Sequence, residues 1–200
     1  MYYNQTMASK SAIKRQLILK GARQLFCERG FCDVTMKDIV DACGISRGGL
    51  YLYFNNTGDI FLEVLRLESQ DSDEVYGSAV SDGASTAKII GFFLKEQKKE
   101  ILQMTDSLTV ATYEYFFKHK IPRDMNPIRH TYDAAVLVLT GLIRRGIENG
   151  EFYECDPKAA ARNIMFVIEG MKVAARTMDI DQKMVDQQLM YIVDTLMVQD

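Results

Sequence analysis

The sequence predicts an all-α protein of about nine helices, with a short three-helix head at the N-terminus and a longer helical body. Three observations carry that expectation. Apolar residues recur at three- and four-residue spacings in one segment after another, and no stretch alternates as a half-buried strand would. Only three prolines occur, Pro122, Pro127 and Pro157, and no segment is rich in proline or serine. Hydrophobic residues make up 48% of the 200, enough for a sizeable core without a disordered linker.

The first helix is expected from about Ser11 to Arg29, where Ile13, Leu17, Ala22, Leu25 and Phe26 form an apolar stripe among Lys10, Lys14, Arg15, Lys20 and Arg23. Gly30 ends it, in the place where a left-handed cap favours glycine. Thr35 opens a short second helix, with Asp38 three residues on where a capping box usually has glutamate. Met36, Ile39, Val40 and Cys43 lie on or near its inner side, and Gly44 stops it. Ile45 plugs the turn, and Ser46 caps a third helix from Arg47 to about Phe54. Two short helices joined by such a turn make a helix-turn-helix, whose second helix enters a major groove N-terminus first. Ile39, Ile45, Leu50 and Phe54 supply the small core that sets the angle between them. Gly48 and Gly49 stand inside the third helix, where each costs about 1 kcal/mol relative to alanine. Their presence suggests a backbone that sits deep in the groove because no Cβ stands in its way.

The fourth helix is expected from about Gly58 to Asp73, followed by a loose connection over Val75 to Ser85. Further helices are read over Thr86 to Met104, Ser107 to Lys120, Ile128 to Asn149, Pro157 to Met178 and Gln182 to Val198. Pro157 falls in a first helical turn, where proline is tolerated. The middle of the Ile128 helix, "AAVLVLTGLI", is almost wholly apolar and is expected to be buried. The head is therefore drawn as residues 1–56 and the body as 57–200.

Charge separates along the same line. Residues 1–54 carry eight Lys/Arg against four Asp/Glu, a net +4, and residues 55–200 carry −7. A basic head on an acidic body suits a protein that neutralises phosphates locally and avoids sticking elsewhere. Enzyme classes find little support: histidine appears only at His119 and His130, and neither a nucleophile elbow nor a phosphate loop occurs. Cys27, Cys32, Cys43 and Cys155 lack metal-ligand spacing, so neither a metal nor a cofactor is expected, and free, buried thiols are the reading. No apolar run is long enough for a membrane span and no signal-peptide core opens the chain, which points to the cytoplasm.

"ILKGARQLFCERGFCDVTMKDIVDACGISRGGLYLYFNNTGDIFLEVL" (Ile18 to Leu65) resembles the TetR family of bacterial transcriptional regulators. The resemblance rests on the first helix ending Phe26-x-x-x-Gly30-Phe31, on Thr35 opening the second, and on Gly44-Ile45-Ser46 at the turn. The run Leu50-Tyr51-x-Tyr53-Phe54 and an apolar fourth helix follow. "LIRRGIENGEFYECDPKAAARNIMFVIEG" (Leu142 to Gly170) resembles the family's run into its penultimate helix more weakly. The resemblance implies a helix-turn-helix DNA-binding head and a ligand-binding and dimerisation body. It implies a homodimer paired through its last two helices, bound to a palindromic operator in double-stranded DNA and released by a small-molecule effector.

Carried onto this chain, the DNA-binding residues would be Thr35, Ser46, Arg47, Gly48, Gly49, Tyr51, Leu52, Tyr53 and Thr57. Thr35 would offer its hydroxyl and N–H to a phosphate, Arg47 would reach a guanine edge or a phosphate, and the tyrosine hydroxyls would meet phosphates. Leu52 offers only apolar contact, for example to a thymine methyl. Thr57 stands where the family usually has lysine, which removes a phosphate contact that Asn55, Asn56 or the start of the fourth helix could replace. Soft and aromatic side chains make a hydrophobic or cation-accepting pocket plausible. Its candidate residues are Phe92, Phe93, Met104, Tyr113, Glu114, Phe117, Tyr132, Phe166 and Met171, with Glu114 as counter-charge to a cation. Met184, Met190 and Met197 are assigned to the dimer bundle. The alternative is a regulator without an inducer, controlled by a protein partner or by oxidation of Cys27 and Cys32.

Overall fold

The computed structural model describes residues 2–80, 84–103 and 105–197, with side chains over 10–68, 84–103 and 105–197. Among the described residues nine α-helices follow one another: α1 (Tyr2–Arg29), α2 (Met36–Cys43), α3 (Arg47–Tyr51), α4 (Thr57–Val80), α5 (Thr86–Leu102), α6 (Thr109–Lys118), α7 (Pro127–Glu148), α8 (Pro157–Thr177) and α9 (Gln182–Leu196). A 3-10 turn (Arg123–Met125) precedes α7. Among the described residues the one β-type pairing is an isolated antiparallel bridge between Phe152 and Met197.

The helix starts carry the chemistry of their caps. Ser46, Ser85, Asn126, Asp156 and Asp181 each accept a hydrogen bond from a backbone N–H in the first turn of α3, α5, α7, α8 and α9. Pro127 and Pro157 occupy first helical positions, where their missing N–H leaves no bond unmade. Asn56 caps α4, its Oδ1 accepting from the Asp59 N–H at 2.8 Å. Gly30 and Gly44 end α1 and α2 with φ of 77° and 61°, the left-handed conformation that glycine adopts without strain.

Four expectations change. In α1 the buried face is Ile18, Leu19, Ala22, Leu25 and Phe26, whereas Ile13 and Leu17 are exposed. At about 100° per residue, Leu17 and Ile13 point roughly 140–180° away from the centre of that face. The recognition helix α3 stops at Tyr51 instead of Phe54. Two glycines weaken it, and the Tyr53 and Phe54 N–H groups both turn back to the Leu50 carbonyl, at 3.0 and 3.2 Å. The stretch read as a loose connection is helical as far as Val80, because the helix continues from a strong former run and propensity is a weak prior. In α7 only Val136, Leu139, Leu142 and Ile143 of the apolar middle are buried, while Leu137 and Val138 are 75% and 51% exposed. The face of α7 that carries these buried residues packs against α5 and α8.

The described chain divides into two compact units, Met1–Gln70 with Thr105–Ile121, and Asp71–Met104 with Pro122–Asp200. The first packing unit is thus larger than residues 1–56, since it takes in the start of α4 and all of α6. Its core joins Ile18, Ala22, Ile39, Leu50 and Phe54 to an aromatic group of Phe26, Phe31, Phe61 and Tyr115. Ring centroids within that group lie 4.8–6.0 Å apart, in the range where aromatic pairs attract. In the second unit α7 and α8 pack along each other and α5 crosses against α7, α8 and α9. Glu151 braces the start of α5, accepting from the Thr86 and Ala87 N–H groups at 3.3 and 2.9 Å. Arg176 of α8 donates to the Ile101 and Gln103 carbonyls at its other end.

Candidate DNA-binding head and effector body

Thr35 makes a full capping box. Asp38 N–H donates to Thr35 Oγ1 at 3.3 Å, Thr35 N–H donates to Asp38 Oδ2 at 2.9 Å, and the Thr35 hydroxyl also donates to that carboxylate. These bonds from Thr35, aided by Arg29 nearby, hold the Asp38 carboxyl below its ordinary value. Both Thr35 donors are therefore engaged within the cap.

The recognition helix presents two chemically different faces. Leu50 and, beyond its end, Phe54 are buried, while Ser46, Arg47, Gly48, Tyr51 and Leu52 are exposed, Leu52 to 83%. The Arg47 guanidinium rests over the Tyr51 ring, 5.6 Å from its centroid, so the cation and the aromatic that flank the glycines share one outer surface. Tyr53 is half-buried and its hydroxyl accepts from Ser11 Oγ at 3.3 Å.

The glycine pair separates. An added Cβ on Gly48 would meet nothing within 4 Å, so this residue does face outward. Gly49 is buried, and a Cβ there would lie 3.1 Å from Ser46 Oγ and 3.3 Å from Lys14 Nζ. Its lack of a side chain makes room for α1 and the helix cap, not for DNA. Thr57 is half-buried in the first turn of α4, and Asn55 and Asn56 are both bonded to Asp59.

The pocket candidates fall in both units. Phe92, Phe93, Tyr132, Phe166 and Met171 belong to the second unit, where Phe93 and Met171 are core residues and the Tyr132 and Phe166 rings pack at a tilt with centroids 5.6 Å apart. Tyr113, Glu114 and Phe117 belong to the first unit, and Met104 lies outside the described residues. Glu114 has a different task from the one its aromatic neighbours suggested. Its Oε2 accepts from the Phe31 and Cys32 N–H groups at 2.7 and 2.9 Å, fastening α6 to the turn after α1. A glycine closing a helix just before those amides was the only sequence signal for this clamp. The cysteines also differ from expectation: Cys32 is exposed, and Cys27, Cys43 and Cys155 are half-buried free thiols. Burial, with the Asp106 and Glu68 carboxylates adding to it and Arg23 opposing, pushes the Cys27 thiol up to about 11, which makes it a poor nucleophile.

Comparison with known proteins decides the family. Residues 18–64 match the model described as "Bacterial regulatory proteins, tetR family", and residues 89–186 match "Tetracyclin repressor-like, C-terminal domain". Over 150 residues the chain is 30% identical to the uncharacterized HTH-type transcriptional regulator YfiR of Bacillus subtilis (strain 168), spanning 73% of this chain and 72% of that one. The chain belongs to the TetR family. It is also 28% identical over 144 residues to the HTH-type transcriptional repressor KstR2 of Rhodococcus jostii (strain RHA1), covering 70% of this chain and 68% of the relative. Among solved structures, a regulator from Saccharomonospora viridis in complex with choline superposes with a TM-score of 0.82 at 20% identity, over 94% of this chain and all of that one. At that identity the likeness speaks for the fold alone. As a TetR-family member the chain is a helix-turn-helix transcriptional regulator and not an enzyme. No helix among its described residues is long and apolar enough to cross a membrane.

Proposed function

We propose that this TetR-family regulator is a cytoplasmic repressor that binds a palindromic operator as a homodimer and leaves it when a small molecule binds its body. The observation that carries the reading is the outer surface of α3, where Arg47, Gly48, Tyr51 and Leu52 stand exposed in sequence behind the Ser46 cap. Arg47 is the candidate for a base edge, Leu52 for a thymine methyl, and Thr35, Ser46, Tyr53 and Thr57 for the phosphates around them. Dimerisation through α8 and α9 is supported by two apolar stripes left open in one chain. They are Phe166 with Val173 on α8 and Met184 with Tyr191 on α9, each pair seven residues apart and so on one face. Two heads held in this way must sit about 34–36 Å apart to enter successive major grooves. A ligand that changes the spacing by a few Å breaks one contact set.

For the ligand, Phe92, Tyr132 and the buried Met171 of the second unit favour a hydrophobic or cationic molecule, and the choline-bound neighbour is one precedent of the cationic kind. Control by oxidation draws no support from a Cys27 thiol with so little thiolate at neutral pH. Footprinting of the full-length protein on DNA upstream of its own and adjacent genes tests the reading. A protected palindrome is the expected result, and no protection anywhere would refute it. On that site Arg47→Ala should weaken binding by about 1–3 kcal/mol while leaving random DNA nearly unaffected.

A further inference from the structure

We infer that the DNA-contacting surface extends from the helix-turn-helix onto α1, with Lys14 as a phosphate anchor set against the recognition helix. This rests on the reading that α3 enters the groove. The Lys14 ammonium lies so close to the first turn of α3 that a Cβ on Gly49 would be 3.3 Å from Nζ and 3.9 Å from Cε. It therefore sits beside Ser46, at the border of the exposed Arg47–Gly48 surface.

The charges around it separate Lys14 from its neighbours. The arginines of this unit that lean on other elements meet carboxylates: Arg15 pairs with Glu63, Arg23 with Glu68 and Asp106, and Arg29 with Asp38. Lys14 is half-buried and has neither an ion pair nor a hydrogen bond among the described residues. Lys10 stands one turn earlier on the same face of α1, and two like charges four residues apart destabilise a helix. Ser11, three residues before Lys14, donates to Tyr53 just past the end of α3. The Lys10–Ser11–Lys14 face of α1 thus runs beside the recognition segment, with two lysines and no carboxylate paired to either among the described residues. A DNA phosphate is the anion that meets a compact ammonium in this position. Gly49 is the residue that permits it, because any side chain there presses on the Lys14 amine.

The test is a binding titration of the full-length protein with a random-sequence DNA duplex between ~50 and ~200 mM potassium chloride. Lys14→Ala should lower affinity several-fold at the low-salt end and make the logarithmic salt slope shallower by about 0.9 per subunit. Lys14→Arg should keep the wild-type slope. An unchanged slope for Lys14→Ala overturns the inference, and so does a lowered melting temperature with the slope intact, which would make Lys14 an internal brace. Gly48→Asp, a charge placed in open space on the outer face of α3, separates the two claims. If Gly48→Asp abolishes binding and Lys14→Ala matches the wild type, only the anchor fails. If the wild-type protein binds no DNA in any salt, the proposed function fails with it.

Discussion

Gly30→Ala tests the clamp that holds the turn after α1. Gly30 has a φ of 77°, and a Cβ built on it would lie 2.5 Å from Glu114 Oε2, 2.8 Å from Oε1 and 2.9 Å from Cδ. Two separate effects follow. Placing alanine in the left-handed region costs roughly 1–2 kcal/mol in any surroundings. Driving the carboxylate away also breaks the bonds it accepts from Phe31 and Cys32. A hydrogen bond to a charged group contributes roughly 1.5–3 kcal/mol, and since Cys32 is exposed, water can replace one of the two. The single substitution should therefore destabilise the protein by about 3–4 kcal/mol. Urea unfolding followed by far-ultraviolet circular dichroism measures this for Gly30→Ala, Glu114→Ala and the double variant. In the Glu114→Ala background nothing remains to collide with, and Gly30→Ala should cost only the backbone part, about 1–2 kcal/mol. The coupling between the two sites is thus expected near 2 kcal/mol. Equal costs of Gly30→Ala in both backgrounds would refute the clamp and leave a simple backbone effect.

Three other perturbations follow from the same kind of reasoning. Thr35→Ala removes the acceptor that caps α2 and should cost about 1 kcal/mol of stability in urea unfolding, while Thr35→Ser should restore it. Gly146→Ala puts a Cβ 2.1 Å from Cδ2 of the buried Phe152 ring; overpacking of this kind costs about 1–3 kcal/mol, read as a fall in melting temperature that Ala at the exposed Gly141 does not reproduce. The bonds that the Ala87 and Thr86 N–H groups donate to Glu151, Ala87 first, lower its carboxyl relative to the unfolded chain. The folded state therefore holds this proton less tightly. The stability Glu151 contributes is present above the unfolded value of about 4.3 and disappears as the pH falls through the lower folded value. Glu151→Gln should flatten that part of the stability profile below about pH 4.3, and an unchanged acid limb would show that Glu151 does not brace α5.

Much of this molecule was legible in its sequence, because the signals are local. Helix caps need a side-chain oxygen at a fixed place, so Thr35 with Asp38 and Ser46 could be read residue by residue. Left-handed ends need glycine, so Gly30 and Gly44 marked where α1 and α2 stop. The order and spacing of these marks carry the resemblance to the family.

What tertiary structure alone decided is which side of each helix faces what. Gly48 and Gly49 are equivalent in sequence, yet one looks into open space and the other onto Lys14, since 100° of helical rotation separates them. Leu17 and Ile18 are both apolar neighbours, and only the second enters the core that also holds residues of α2 and α4. Leu137 reads as core by composition and stands exposed, because burial depends on a neighbouring surface and not on hydrophobicity. Glu114 sits 83 residues from the amide it binds most closely, a separation at which no periodicity, cap or turn rule carries information. The sequence alone determined the capped helix starts and the glycine-closed ends; the contacts between distant helices, which only the fold creates, determined what their faces do.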